Sequence, residues 1–198
     1  MSLLKRMPPK RRRLGLTDYR KRLKLVKSGL PRLVVRKTNK HIIVQVIKPK
    51  FGGDETILTV TSKKLREFGW KASLKNTPAA YLTGLLAGLL MKPKIDKAVL
   101  DIGLHRPSKG SKVFAAALGF KDSGIEISVG EEIPPGEDRI KGAHISSYYR
   151  SLKESGAETI QFSRSDESVY ANLEAHFEEV KNRILRELGG DESGGMGS

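Results

Sequence analysis

Cysteine is absent from this 198-residue sequence. Its absence excludes disulfide bonds, thiolate zinc sites, iron–sulfur ligation and cysteine catalysis. Long apolar runs are lacking as well: the longest, from Tyr81 to Met91, spans 11 residues, whereas a membrane-spanning helix needs roughly 20. Aromatic residues make up only 6% of the chain, which suits a modest hydrophobic core. We therefore expect a soluble intracellular protein without a membrane partner.

Acidic residues are scarce, and they are scarcest at the N-terminal end. The chain has 37 lysines and arginines against 22 acids, a formal net charge of +15. Residues 1–50 hold 17 of these cations and one acid, whereas residues 151–198 hold five cations and ten acids. Such an excess of positive charge repels itself within the folded chain and indicates a polyanionic partner. We expect the N-terminal end to bind that polyanion and the C-terminal end to present a different surface.

The pattern divides the chain into three parts. Residues 1–30 form a basic arm and an amphipathic helix, which Thr17 is expected to cap and Ser28 and Gly29 to end. Residues 31–130 form an α/β core domain. Residues 131–198 form an extension with a long acidic helix and a flexible Gly/Ser/acid tail. The narrow apolar stripe of the first helix is predicted to pack on the domain that follows.

The core is predicted to be an α/β fold with a mixed sheet and helices packed on it. An antiparallel three-stranded meander is followed by the order β-α-β-α-β. Thr77 is expected to cap an apolar helix in which Gly84 and Gly88 allow another backbone to approach closely. A short helix is predicted to end at Gly119. The apolar run from Ala98 to Ile102 is typical of a central parallel strand.

The extension is predicted to contain one long helix over residues 166–188, capped by Ser165. Within that span six acids oppose three cations, so the helix carries a net negative charge. Its apolar stripe consists of Val169, Leu173, Phe177, Val180 and Ile184. We expect the stripe to pack on the chain's own core or on a neighbouring protein, and the acidic face to avoid RNA.

Motifs for catalysis are almost entirely missing. The four histidines are scattered singly, and neither a P-loop nor a nucleophile elbow is present. We expect no metal site, no cofactor and no small-molecule substrate. One segment, Val99 to Gly103, is similar to the first nucleotide-binding turn of an S-adenosylmethionine methyltransferase. An RNA-modifying enzyme that uses this Asp101 turn is therefore the alternative hypothesis, although Asp101 is more simply interpreted as a turn former at a strand end.

The basic residues indicate folded RNA as the polyanion. No helix-turn-helix, zinc-finger or bZIP pattern is present, and no RNP-type aromatic pair lies on a strand. A basic tail, a basic helix and a basic sheet rim suit an RNA that is recognised by shape and backbone, with Tyr19 and Phe51 available to stack. The predicted RNA-binding residues are Lys10, Arg11, Arg12, Arg13, Tyr19, Arg20, Arg22, Lys24, Arg32, Arg36, Lys37, Asn39, Lys40, His41, Lys63, Lys64, His105, Arg106, Lys109, Lys112, Arg139, Lys141 and His144.

Several separated segments resemble one family in the right order. They are Pro31 to Val46, Pro78 to Leu86, Ala98 to Leu104, Gly110 to Ala115 and Lys141 to Ile145. Together they resemble the archaeal and eukaryotic branch of the ribosomal protein L eighteen family, which binds 5S rRNA in the large subunit. The resemblance covers roughly residues 8–188.

The resemblance implies a non-catalytic protein of the cytoplasmic large ribosomal subunit. In the central protuberance, such a protein holds 5S rRNA against the large-subunit rRNA. The arm, the first helix, the first hairpin and the loop after Asp101 would face RNA. The C-terminal extension would contact large-subunit rRNA and neighbouring ribosomal proteins.

Overall fold

The computed structural model describes residues 7–8, 10–130, 132–156, 162 and 167–189. Its strands are β1 (Arg32–Lys37), β2 (Ile42–Lys50), β3 (Gly53–Thr61), β4 (Lys97–Asp101) and β5 (Glu126–Ile127). Its helices are α1 (Lys10–Arg13), α2 (Tyr19–Lys27), α3 (Thr77–Met91), α4 (Lys112–Asp122), α5 (Glu137–Lys141), α6 (Ala143–Glu154), α7 (Glu167–Ala171) and α8 (Leu173–Leu188). A 3-10 helix, Ser62–Arg66, follows β3. None of the described helices is long and apolar enough to cross a membrane.

The strands form one mixed sheet in the order β3-β2-β1-β4-β5. The first three make an antiparallel meander, and β4 pairs in parallel with both β1 and β5. The predicted α/β fold is therefore confirmed. Since β1, β3 and β4 all run in the same direction, their carboxyl ends meet at one edge of the sheet.

The sheet has two different faces because successive side chains of a strand alternate. Leu33 and Val35 are completely buried in the main core. The intervening side chains of Arg32, Val34 and Arg36 line a cavity of about 520 Å³ on the other face, where α2 lies. One face therefore belongs to the core, and the other faces the basic helix.

Helices α3 and α4 pack closely because glycines lie where they meet. A Cβ added at Gly84 would overlap the carbonyl oxygen of Ala116, and one added at Gly119 would overlap that of Tyr81. The predicted close approach at Gly84 and Gly88 is confirmed. The expectation that α4 ends at Gly119 is wrong, because that glycine serves the contact with α3 and the helix continues to Asp122.

Two of the helix caps lie one residue away from their predicted positions. Asp18, rather than Thr17, caps α2 by accepting hydrogen bonds from the backbone amides of the first turn. Asn76, rather than Thr77, caps α3 by accepting a hydrogen bond of 2.9 Å from the Ala79 amide. In both places Asp or Asn adjoins Thr and is the stronger capping residue.

The prediction of one unbroken C-terminal helix is wrong. Asn172 has φ −137° and ψ 51°, which separates α7 from α8. At this break the Leu173 amide donates to the Ser146 hydroxyl at 3.3 Å, so α6 supplies the acceptor that a continuous helix would have supplied. Ser165, Asp166 and the acidic tail lie outside the described residues.

The apolar stripe of α8 packs on the chain's own core. Leu173, Phe177, Val180 and Ile184 are all at least 98% buried. The Phe177 ring lies 5.7 Å from the ring of Tyr81 on α3. Helix α8 therefore completes the hydrophobic core that the sheet and α3 form.

Candidate nucleic-acid interface

The carboxyl edge of the sheet brings distant segments together. The β1–β2 turn follows β1, the 3-10 helix follows β3, and the loop of residues 102–110 follows β4. Helix α4 begins directly after that loop. Each of these segments carries predicted RNA-binding cations, so the parallel order of the strands gathers them at one edge.

The β1–β2 turn is held by Thr38. Its amide donates to the His41 carbonyl oxygen at 2.9 Å, and its hydroxyl accepts from the His41 amide at 2.9 Å. Lys37, Asn39 and Lys40 are exposed on this turn, whereas His41 is half-buried. The turn therefore holds two exposed lysines close to each other in a fixed loop.

The loop after β4 lies against Arg36. Gly103 has φ +59°, which favours glycine, and a Cβ there would lie 2.9 Å from the Arg36 guanidinium. Arg36 also donates to the Asp101 carbonyl oxygen at 3.4 Å. Burial lowers the pKa of His105, and the charges of Lys37 and Arg36 lower it further. The loop and the turn therefore share one positively charged environment.

The start of α4 extends this environment. Burial lowers the pKa of Lys112 below its ordinary value. Three neighbouring cations lower this pKa further: Lys75, Lys37 and Arg139. We call the group Lys37, Lys75, His105, Lys112 and Arg139 the edge surface. Lys75 is not among the RNA-binding residues predicted from the sequence. The one signal for it there is its position just before the residue that caps α3.

Most of the remaining predicted residues near this edge are exposed, and Lys109 is paired with an acid. Lys63, Lys64, Arg106 and His144 are exposed. Burial lowers the pKa of His144, and the Arg139 charge lowers it further. Lys109 forms an ion pair of 3.1 Å with Glu132.

Lys141 is engaged elsewhere in the fold. It lies 3.7 Å from Glu137 and 3.8 Å from Glu178 on α8. Its charge therefore serves the junction between α5 and α8.

Arg32 does not lie on the surface with the other predicted residues. It is 3% exposed, and its guanidinium donates to Asp101 at 2.8 Å and to Asp54 at 2.6 Å. Asp54 also accepts from Arg22 of α2 at 2.8 Å. Arg22 and Arg32 share Asp54, and Arg32 also holds Asp101, so the four side chains join α2 to β3, β1 and β4. We call this group the carboxylate relay.

Asp101 is occupied by intramolecular contacts on both carboxylate oxygens. One accepts from Arg32, and the other accepts from the Gly103 amide at 2.8 Å. The second contact is the side-chain turn expected of a strand-end aspartate. Within the part of the chain that the structure describes, no three His, Asp or Glu side chains gather in a geometry that could hold a metal ion.

Helices α1 and α2 present a second basic surface. Lys10, Arg11, Arg12 and Arg13 form one exposed helical turn, which Arg11 attaches to the Thr17 hydroxyl at 3.0 Å. Arg20 and Lys24 are exposed, while Arg22 turns inward to the carboxylate relay. The apolar stripe of α2 stays uncovered in the described structure, since Tyr19 is 38% and Leu23 is 56% exposed. The expectation that this stripe is buried on the following domain is therefore wrong.

Known proteins are similar to this chain over most of its length. A family model described as ribosomal large subunit proteins 60S L5, and 50S L18, matches residues 5–98. The large ribosomal subunit protein uL18 of Staphylothermus marinus is 51% identical over 188 residues, covering 92% of this chain and 93% of that protein. This chain belongs to the uL18 family of large ribosomal subunit proteins.

Two further uL18 relatives agree. The protein of Desulfurococcus amylolyticus is 48% identical over 184 residues, covering 91% of this chain and 94% of that protein. The protein of Aeropyrum pernix is 48% identical over 185 residues, covering 90% and 86%. The resemblance to the archaeal and eukaryotic branch of the family is confirmed.

Membership of the uL18 family settles the class of protein. It is a structural constituent of the large ribosomal subunit, with ribosomal RNA and ribosomal proteins as partners, and it is not an enzyme. The alternative hypothesis of an RNA-modifying enzyme is wrong. The Asp101 turn instead fixes the loop after β4 and anchors Arg32.

Proposed function

We propose that this uL18 family member binds 5S rRNA and helps attach it to the large-subunit rRNA in the central protuberance. The observation that carries the proposal is the convergence of cations from four chain segments on the edge surface. These cations come from β1, the residues before α3, the start of α4 and α5.

The edge surface needs an anionic partner on electrostatic grounds. Burial lowers the pKa of Lys112 and of His105, and neighbouring positive charges lower both further, so each charge there is also disfavoured by the others. A phosphate backbone relieves this repulsion, and releasing its counterions favours binding further. A folded RNA supplies phosphates at spacings that a single small anion cannot.

The three parts of the chain would then divide the contacts. The arm, α2 and the edge surface would face 5S rRNA. The exposed side of α6 to α8 carries acids that repel phosphate, so this side would meet neighbouring ribosomal proteins. The large-subunit rRNA would contact the extension only at its basic margin. The carboxylate relay would keep α2 in a fixed position relative to the edge surface.

The test is a filter-binding titration with a 5S rRNA transcript from Staphylothermus marinus, with a tRNA as competitor. Lys37→Ala with Lys40→Ala removes two exposed charges from the turn. Lys94→Ala with Lys121→Ala removes two exposed charges, one from the segment after α3 and one from the last turn of α4, and serves as the matched control. We expect the first variant to bind more weakly and the control to bind as the unaltered chain does.

The salt dependence separates a phosphate contact from a general reduction in charge. The slope of log affinity against log salt should become shallower by about 0.7–0.9 for each phosphate that the variant no longer neutralises. The thermal midpoint should hardly move, because exposed charges contribute little to stability. Equal effects from both variants, or no preference for 5S rRNA over tRNA, would contradict the proposal.

A further inference from the structure

Exposed apolar side chains are concentrated in the most basic part of the molecule. Among the described residues, most of the large hydrophobic side chains that are exposed lie at or before residue 51. They are Met7, Leu14, Leu16, Tyr19, Leu23 and Phe51. The first 50 residues also carry 17 lysines and arginines. Apolar surface among cations suits a partner that combines flat apolar groups with negative charge.

Two of these side chains line one groove. It is formed between α2 and the β2–β3 turn, has a volume of about 520 Å³ and is lined by Tyr19, Leu23, Val26 and Pro49. We call it the hairpin groove. Lys50 and Gly52 also line it, and Phe51 lies between them in the chain.

The β2–β3 turn holds Phe51 in solvent. Lys50 pairs with Gly53, so Phe51 and Gly52 form the whole connection between the strands. Gly52 has φ +85°, a conformation that favours glycine and closes the turn tightly. Phe51 consequently has no cover, and its relative exposure is 109%. The whole Phe51 ring is therefore accessible to a partner.

The acids around the groove are already neutralised. Asp54 is held by Arg22 and Arg32 at 2.8 and 2.6 Å. Glu55 forms an ion pair of 2.7 Å with Lys50, which lowers the pKa of the Glu55 carboxyl. The exposed cations that remain on α2 and β2 include Arg20, Lys24, Lys27 and Lys48. The groove therefore has an apolar floor. The cations in its lining, Arg22 and Lys50, are paired with these two acids, and the other cations lie at neighbouring positions of α2 and β2.

We propose that the hairpin groove takes one unstacked nucleobase of rRNA, with Phe51 stacking on its face. This inference rests on the proposed function, because it needs the N-terminal surface to face RNA. An aromatic ring and an apolar floor match the π-face of a base, and the cations at neighbouring positions of α2 and β2 match its flanking phosphates. An apolar protein partner would match the floor but would leave those cations without an anionic partner.

The experiment measures 5S rRNA affinity as a function of salt for the full chain and for variants at Phe51. The contribution of stacking to the affinity does not depend on the salt concentration, whereas the contribution of phosphate contacts falls as salt rises. Phe51→Ala should therefore weaken binding by about fivefold to 150-fold without changing the salt slope. Leu185→Ala, an exposed apolar residue on α8, is the matched control and should change nothing.

Two more substitutions identify the occupant. Phe51→Trp should keep the affinity, and its emission should be quenched on binding, whereas the buried Trp70 of the unaltered chain should respond little. Phe51→Leu keeps an apolar side chain without a π-face, so it should lose most of the affinity. Full affinity in Phe51→Leu, or an unchanged affinity in Phe51→Ala, would overturn the stacking proposal.

Large-subunit rRNA is titrated in parallel, so that a failure of the proposed 5S rRNA binding can be distinguished from a failure of the stacking proposal. Binding to this RNA alone would overturn the 5S assignment, while the Phe51 variants would still decide whether a base stacks there. Binding to neither RNA would overturn both proposals. A Phe51→Ala variant that binds 5S rRNA normally would overturn the stacking site alone.

Discussion

Helices α2 and α8 are both amphipathic, but the fold treats them in opposite ways. No residue of α2 is buried, whereas α8 buries Leu173, Phe177, Val180 and Ile184. Helix α2 is attached through Arg22 and the carboxylate relay, and α8 is attached through its apolar stripe. An apolar stripe at helical spacing indicates that a face will be covered, but it does not say by what.

The charges of the two helices explain why the apolar stripe of α8 is buried and that of α2 is not. Helix α2 has five cations and no acid, so docking it tightly on a basic chain would concentrate positive charge. In α8 the acids pair with cations of its own turns and of α5, as between Glu179 and Arg183 and between Glu178 and Lys141. This near-neutral charge balance permits α8 to be folded into the core, while α2 stays at the surface that we assign to RNA.

The largest expected difference between the two helices is in stability. Phe177→Ala would leave a cavity in the core and should lower the free energy of unfolding by about 3–5 kcal/mol. Leu23→Ala on α2 should change it by less than about 0.5 kcal/mol, because that side chain is mostly exposed. Urea denaturation of the full chain measures both. Similar decreases in the two variants would mean that the α2 stripe is covered after all.

The importance of α8 for stability also bears on truncation. Cutting the chain after Asp138 would be the simplest way to separate the two ends of the molecule. Because Phe177 contacts Tyr81 and the α8 stripe completes the core, that cut would uncover apolar surface of α3. Point substitutions on the two helices are therefore the cleaner comparison.

The next largest effect concerns how α2 is attached. Asp54→Asn removes the charge that Arg22 and Arg32 share, and should cost about 1.5–3 kcal/mol, as for a hydrogen bond to a charged group. Hydrogen exchange should show faster exchange of the α2 amides and unchanged exchange in α8. Glu126→Gln is the control: its ion pair with Lys97 is exposed on both sides and should contribute little to stability. Protection of α2 that survives Asp54→Asn would show that the relay does not hold the helix.

The sequence predicted the fold well where one local pattern determines the outcome. Alternating and continuous apolar segments predicted the meander and the parallel strand, and the spacing of Gly84 and Gly88 predicted a close helix contact. The break at Asn172 could not be predicted, because it depends on the Ser146 hydroxyl of α6 accepting from the Leu173 amide. That acceptor is 27 residues away in the chain.

The candidate site was predictable in composition but not in detail. A basic sequence predicts that lysines and arginines bind RNA, yet it cannot distinguish an exposed cation from one held by a distant carboxylate. Arg32 illustrates this limit, because its partner Asp101 lies 69 residues further along the chain. Lys75 illustrates the opposite error, because only the packing of α3 beside α4 brings it to the edge surface.

A smaller effect should appear in the salt dependence of RNA binding. Arg20→Ala with Lys24→Ala removes two exposed charges from α2. Under the proposed function, the slope of log affinity against log salt should become shallower by about 0.7–0.9 for each phosphate that is no longer neutralised. Lys181→Ala with Arg186→Ala removes the same charge from α8 and should leave the slope unchanged. A change of slope from the α8 variant would place RNA against the C-terminal helices and contradict the division of surfaces.

The smallest expected effect is the contribution of His176, at the α8 end, to the pH dependence of stability. His176 accepts a hydrogen bond from the Lys71 amide at 3.1 Å and stacks on Trp70 at 5.2 Å. Burial lowers its pKa below 6.5, and although Glu179 raises the pKa, the charges of Lys71 and Arg183 lower it. The unfolded chain therefore takes up the proton first, so the free energy of unfolding should fall as pH drops from about 7.5 to about 5.5. His176→Gln keeps an acceptor without titrating and should flatten this dependence, whereas the exposed His144→Gln should leave most of it. An unchanged pH profile in His176→Gln would show that this contact does not help to hold α8 on the core.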